Sequence, residues 1–182
     1  MKKTTHSLLF ALFLIGMFAF TKSDSWYLVE SKPFGFKIEF PVKPAEQTKV
    51  INSELGELNM NMFLYDASKA KDDNLVYLAS YTEYPKDAVD SDNKEVQKKM
   101  LRSGIDGAVN NVQGKLLSEK IITLDGFEGI EARIDFKNGM AIIKMRMYLV
   151  HNKMYILETI TETSKESNKS VSKFLDSFKL FK

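Results

Sequence analysis

The dipeptide Asn138-Gly139 constrains the fold of this chain more than any other short segment. Asn-Gly is typical of a tight turn between antiparallel strands, and both flanking segments alternate apolar with polar residues. The turn sets a register in which four apolar residues meet four others: Phe136 opposite Ala141, Ile134 opposite Ile143, Ala132 opposite Met145, and Ile130 opposite Met147. On the other face Glu131 lies opposite Arg146, as a cross-strand ion pair. The sequence therefore predicts a half-buried antiparallel hairpin.

Other segments extend this hairpin into a sheet. A second turn at residues 151–153 returns the chain along residues 154–160, which makes a meander of three strands. Phe36, Ile38 and Phe40 alternate with charged residues until Pro41, which has no amide hydrogen to donate and ends the strand. Strands are also predicted at residues 57–65 and 75–84, and the latter is apolar on both faces, as in a central strand.

The spacing of apolar residues changes to three and four positions after residue 91, which indicates an amphipathic helix. Its stripe runs from Val96 to Val112, and Asp92 with Glu95 predicts a capping box at the start. Gly104 and Gly107 lie on or beside the stripe, so we expect the helix to approach the sheet closely there.

A final helix is predicted near the end of the chain. Thr163 and Glu166 predict its capping box, and its apolar stripe has four members: Val171, Phe174, Leu175 and Phe178. The chain has no linker that would divide it. The sequence therefore predicts an α+β fold, a central antiparallel β-sheet with helices packed on it.

Residues 1–23 have the pattern of a secretory signal peptide. Lys2 and Lys3 precede an apolar run of 13 residues from Leu8 to Phe20, which is too short for a comfortable membrane span. We expect cleavage near Ser23, so that residues 24–182 form a single exported domain, periplasmic or secreted, with no transmembrane span. A retained N-terminal anchor is the alternative.

Composition excludes several function classes. The chain has 26 basic and 24 acidic residues, and three of the lysines lie in the predicted signal peptide, so the remainder has a net charge of about −1. The basic residues are scattered among acidic ones, which argues against nucleic acid as a partner. The absence of cysteine excludes disulfides, thiolate metal sites and a cysteine nucleophile.

Motifs for catalysis and for nucleotide binding are missing from the sequence, including G-x-S-x-G, H-E-x-x-H and a glycine-rich phosphate loop. His151 is the one histidine beyond the predicted signal peptide, and no motif places a serine or an acid beside it, so we expect an exposed turn residue. The sequence predicts no cofactor and no enzymatic activity. A carboxylate-based enzyme is a third hypothesis, with Glu131, Asp135 and Arg146 as its cluster.

Two patterns offer ligands for a metal. The acidic run at residues 87–95 places oxygen atoms at alternate positions, as in a calcium loop, but helix capping explains Asp92 and Glu95 without an ion. The second pattern is two pairs of methionines, each on one strand face, whose soft sulfur atoms suit Cu(I): Met60 with Met62, and Met145 with Met147. Methionine also fills gaps in cores, and that interpretation is favoured.

Tyrosines are the remaining candidates for a ligand site, because a tyrosine can line a pocket with its hydroxyl in water. Five lie on predicted strands or next to a turn: Tyr77, Tyr81, Tyr84, Tyr148 and Tyr155. The preference of tyrosine for β-sheets explains most of them equally well.

Four segments in this order resemble the PsbP-like families, which include the extrinsic PsbP subunit of photosystem II and bacterial envelope relatives. They are FGFKIEFP, GKLLSEKIITLDGFEGIEARI, RMYLVHNKMYIL and FLDSFKL. The resemblance implies an α/β/α sandwich and a role in binding or assembly rather than catalysis. The sequence predicts no histidine–carboxylate pair of the kind that would bind a metal.

These observations favour a non-enzymatic, extracytoplasmic binding or assembly module that acts on another envelope component. Its partner would be an envelope protein or a small apolar ligand. The alternative hypothesis is a periplasmic carrier of a small ligand or of a metal, Cu(I) or calcium.

Overall fold

A computed structural model describes residues 25–181, and the predicted signal peptide lies outside the described residues. Two helices are present, α1 (Lys94–Asn111) and α2 (Lys169–Ser177), with a short 3₁₀ turn at Thr163–Lys165. The strands in chain order are β1 (Tyr27–Ser31), β2 (Phe36–Phe40), β3 (Ala45–Ser53), β4 (Gly56–Asp66), β5 (Asn74–Glu83), β6 (Lys115–Leu124), β7 (Phe127–Phe136), β8 (Ala141–Val150), β9 (Lys153–Glu162) and β10 (Lys179–Leu180).

Seven strands form one large antiparallel sheet in the order β3-β4-β5-β9-β8-β7-β6. The predicted α+β fold, an antiparallel sheet with helices packed on it, is confirmed. The hairpin of β7 and β8 has the predicted register, with Phe136 opposite Ala141 and Glu131 opposite Arg146. Strand β9 continues the meander beside β8, and β5 lies inside the sheet between β4 and β9, as its apolar character predicts.

The two faces of the large sheet bury different cores. The inner face carries the tyrosines of β5, β8 and β9, and α2 and the apolar side chains of β2 cover it. The outer face carries Met145 and Met147 of β8, and α1 covers it with Leu101 and Ile105. The alternation of side chains along each strand assigns them to one face or the other.

A second sheet, which the sequence did not predict, forms part of the inner layer. Strand β2 pairs with β1 on one side and with β10 on the other. Its residues Phe36, Ile38 and Phe40 are buried, as their alternation predicts, but they face the large sheet from the small one. The prediction that the last helix continues to Phe178 was wrong, because the chain is extended from Phe178 and then pairs with β2.

Both predicted capping boxes were wrong in detail. Helix α1 is capped by Asn93, whose side chain accepts hydrogen bonds from the amides of Glu95 and Val96. Helix α2 is capped by Asn168, after the separate 3₁₀ turn. In each case the cap lies nearer to the helix than the predicted residue.

The prediction for the glycines of α1 was half right. A Cβ atom at Gly104 would lie 2.5 Å from the Sδ atom of Met147, so this glycine permits close contact with the sheet. A Cβ atom at Gly107 would meet nothing within 4 Å. Only Gly104 is therefore required by packing.

Candidate functional site

The five candidate tyrosines do not line one open pocket. Tyr77, Tyr81, Tyr148 and Tyr155 are buried in the inner core, whereas Tyr84 packs against the outer core. Three of these tyrosines donate their hydroxyls to protein acceptors: Tyr77 to Asp72 at 2.8 Å, Tyr81 to Glu83 at 2.7 Å, and Tyr155 to the carbonyl of Phe34 at 2.8 Å. Burial also raises the pKa of Tyr155 to about 12. The tyrosines act mainly as core residues.

The two methionine pairs lie apart on the outer face. Met145 and Met147 are buried under α1, whereas Met60 and Met62 are half-buried on β4. Strands β5 and β9 lie between β4 and β8, so the structure does not bring the four sulfur atoms together.

The carboxylate cluster of the hairpin is occupied by ion pairs. Glu131 accepts from Arg146 at 2.7 Å and from Lys120 at 2.9 Å, and Arg146 also donates to Asp176 of α2. Burial alone would raise the pKa of Glu131, but the hydrogen bonds from Arg146 and Lys120 outweigh it and lower the pKa. Glu131 is therefore ionised and paired, and it offers no proton as a general acid.

The structure brings His151 together with two acids of the run at residues 87–95. One metal-binding atom from each of Asp90, Asp92 and His151 lies within 4.8 Å of the others. All three side chains are exposed. The expectation that no histidine–carboxylate pair forms was therefore wrong. The candidate oxygen ligands of Asp90 and Asp92 lie beside a candidate nitrogen ligand, the imidazole of His151.

Backbone hydrogen bonds hold this cluster in place. The amide of Ser91 donates to the carbonyl of His151, and the amide of His151 donates to Oγ of Ser91, both at 2.9 Å. Next to them, Asn152 and Tyr84 exchange a second pair of bonds. The turn between β8 and β9 is thus fastened to the connection between β5 and α1. The imidazole of His151 also meets the ring of Phe127 edge-on, with 5.0 Å between the ring centroids.

His151 also lines a cleft of about 490 Å³. Its lining is aromatic and aliphatic with three polar side chains. The apolar members are Phe127, Val150, Tyr155, Leu180 and Phe181, and the polar ones are Asp125, His151 and Lys153. Lys153 forms no salt bridge with any residue between 25 and 181. We call the cluster and the cleft together the His151 site.

Sequence patterns alone did not reveal the His151 site, because its parts are about 60 residues apart in the chain. The pairing of strands β5 and β9 could have revealed the site. Once β5 and β9 are paired, Glu83 lies opposite Lys153, so the acidic connection after β5 and the turn before β9 must meet at the same end of the sheet.

Comparisons with known proteins find similarity among solved structures. No family model matches the chain, and no curated protein does. Among solved structures, it is similar to the solution structure of cyanobacterial PsbP (CyanoP) from Synechocystis sp. PCC 6803, with a TM-score of 0.48 and 13% identity. The match covers 92% of this chain and 99% of that chain. That protein is a PsbP, the family that the sequence resembles.

Proposed function

We propose that this protein is an exported, non-catalytic binding module, and that it binds its ligand or envelope partner at the His151 site through a divalent cation. The observation that carries the proposal is the convergence of Asp90, Asp92 and His151. Two carboxylates and one imidazole suit Zn²⁺ or Mn²⁺ better than calcium, which prefers an all-oxygen set.

The spacing of the cluster is compatible with one ion. Zinc lies about 2.0–2.2 Å from nitrogen and oxygen ligands, and these atoms are at most 4.8 Å apart. A modest rotation of the exposed side chains brings all three onto a shared ion. The hydrogen bonds around Ser91 hold the two backbone segments at this distance, so little order has to be created on binding.

Three protein ligands leave one or more positions of a bound cation open. His151 also lines the cleft, so a ligand or a partner side chain seated there would supply the group that completes the coordination of the cation. The apolar walls of the cleft would bury the body of that ligand, and Lys153 would meet an acidic group on it.

Further observations favour export and a role without catalysis. The N-terminal pattern of residues 1–23 is that of a secretory signal peptide. Among residues 25–181, no helix is long and apolar enough to cross a membrane. Glu131 is paired with Lys120 and Arg146, and Asp176 is paired with Arg146. The envelope component that the module binds would contribute the group that completes the coordination of the cation.

Titration calorimetry with Zn²⁺, Mn²⁺ and Ca²⁺ tests the proposal. We expect one site per chain that binds Zn²⁺ or Mn²⁺ more tightly than Ca²⁺. His151→Gln and Asp92→Asn should each weaken binding by about tenfold or more, as the loss of a supporting group commonly does at metal sites.

Asp87→Asn is the matched control, because Asp87 is exposed in the same connection but does not belong to the cluster. It should leave the affinity unchanged. Absence of heat with every cation, or equal losses for the Asp87 and Asp92 variants, would reject the cation site. Preference for Ca²⁺ that is insensitive to His151→Gln would instead indicate a site made of carboxylates alone.

A further inference from the structure

Strand β6 forms one edge of the large sheet, next to β7. It has ten residues, and the backbone groups on its outer side have no strand to pair with among residues 25–181. An edge of this length can accept another strand unless something prevents it.

The usual protections are absent from most of β6. Its irregularity lies near the beginning, between Leu116 and Ser118, and the segment from Ser118 to Leu124 pairs regularly. Lys120 does not prevent another strand from pairing at this edge, because its Nζ atom forms an ion pair with Glu131 at 2.9 Å. The strand also contains no proline. Seven consecutive residues are therefore free to pair.

The opposite edge, β3, differs in chemistry. Its sequence AEQTKVINS is mainly polar, and nearly all of its residues are exposed. Strand β6 carries instead five apolar residues in ten, KLLSEKIITL, and Ile121 at its centre is 62% exposed. A second strand along β6 would cover Ile121 and remove its apolar surface from water.

A groove of about 370 Å³ follows β6 on the outer face. Helix α1 forms one wall, and Leu101 and Ile130 lie at its base beside Ile121. Arg102 of α1 is bonded to Glu119 of β6 at the same place, so the groove has a fixed wall. A strand added to β6 would direct alternate side chains into this groove.

We propose that two copies of this chain associate through β6, antiparallel and about a two-fold axis, with Ile121 opposite Ile121 of the second copy. The two large sheets then become one continuous sheet.

Charge and the burial of Ile121 together favour one register. A two-fold axis between identical antiparallel strands sets one residue opposite its own copy. An axis at Glu119 or Lys120 would oppose like charges, which is destabilising. With the axis at Ile121, Lys120 lies opposite Ile122 and Glu119 lies opposite Thr123, so no like charges face each other. The same arrangement removes the exposed isoleucine from water.

Sedimentation velocity over a wide range of protein concentration tests the proposal. We expect a reversible monomer–dimer equilibrium. Ile121→Lys should weaken the association about tenfold or more, because two lysines would then lie opposite each other at the axis. Val50→Lys is the matched control: Val50 is 56% exposed on the other edge strand, and its replacement should leave the equilibrium unchanged.

A charge-swap experiment tests the register itself. Ile121→Lys and Ile121→Glu should each be mainly monomeric alone, whereas an equal mixture should restore a heterodimer, because opposite charges then meet at the axis. Circular dichroism checks that both variants are folded, and we expect this because Ile121 is exposed.

Three results would overturn the proposal. They are a monomer at every concentration, loss of the dimer with Val50→Lys but not with Ile121→Lys, and no heterodimer in the mixture. Pairing of β6 with a different envelope protein, without self-association, would also overturn it and would assign the edge to that partner.

Discussion

Glu158 is a half-buried carboxyl on the outer face of β9, in an apolar neighbourhood. Its partners across the strands are Leu78 and Met145. Burial raises its pKa from 4.5 to about 7, because a charged carboxylate is poorly solvated there. The folded protein therefore holds this proton more tightly than the unfolded chain does.

The sign of the pH dependence follows from that difference. The contribution of Glu158 to stability is fully present below pH 4.5 and decreases as the pH rises to about 7. We expect Glu158→Gln to be as stable as the wild type near pH 4.5 and more stable by up to about 3 kcal/mol above pH 7. Urea unfolding at a series of pH values measures this.

The matched control for Glu158 is Glu162→Gln, on the same strand and the same face but exposed. It should not reproduce the gain. A Glu158 variant whose stability difference from the wild type is constant with pH would contradict the assignment of the raised pKa.

At the scale of elements, local patterns predicted structure well and distant pairings were missed. The register of β7 and β8 follows from a turn and its two flanking strands, all within 24 residues, and it was predicted correctly. The end of α2 was not, because Lys179 and Leu180 pair with Lys37 and Phe36, and no local signal reports a partner so far away.

The start of α1 shows why caps are difficult to place. Asp90, Asp92 and Asn93 are all good capping residues, and sequence alone does not choose among them. The structure selects Asn93, so Asp90 and Asp92 do not cap the helix, and both lie near His151. The same three positions thus explain both the error in the cap and the unpredicted site.

Substitution of the cap gives a prediction for α1. Asn93→Ala should destabilise the protein by about 1 kcal/mol, because two amides of the first turn lose their acceptor. Asp92→Ala, in buffer without metal, should change the stability by less than half as much. Urea unfolding followed by circular dichroism compares them, and a larger loss for Asp92→Ala would restore the capping box predicted from sequence.

At the scale of the whole molecule, the proposed function depends on how the two sheets enclose the inner core. The sequence predicted the large sheet and its helices, but it did not separate β2 from that sheet. Half-buried alternation is the same in either sheet, so the residues Phe36, Ile38 and Phe40 carry no information about which one they join. The His151 site depends on this arrangement, because Leu180 of β10 and the following Phe181 form part of its cleft.

A partly buried hydrogen bond connects the two sheets close to this cleft. The hydroxyl of Tyr155 on β9 donates to the carbonyl of Phe34 in the turn between β1 and β2. Tyr155→Phe leaves that carbonyl without its partner, so we expect a loss of about 1–3 kcal/mol. Native-state hydrogen exchange should show the loss of protection first in β2, since a sheet of three short strands opens more easily than one of seven.

Tyr65→Phe is the control, because Tyr65 lies on the same inner face and stacks on Tyr77 with 5.9 Å between ring centroids. Its hydroxyl forms no side-chain hydrogen bond with a described residue. If both variants lose protection equally in β2, the loss is not specific to the bond to Phe34, and that bond does not hold the sheets together. If only Tyr155→Phe does so, the small sheet depends on this bond, and ligand binding in the cleft should weaken in the same variant.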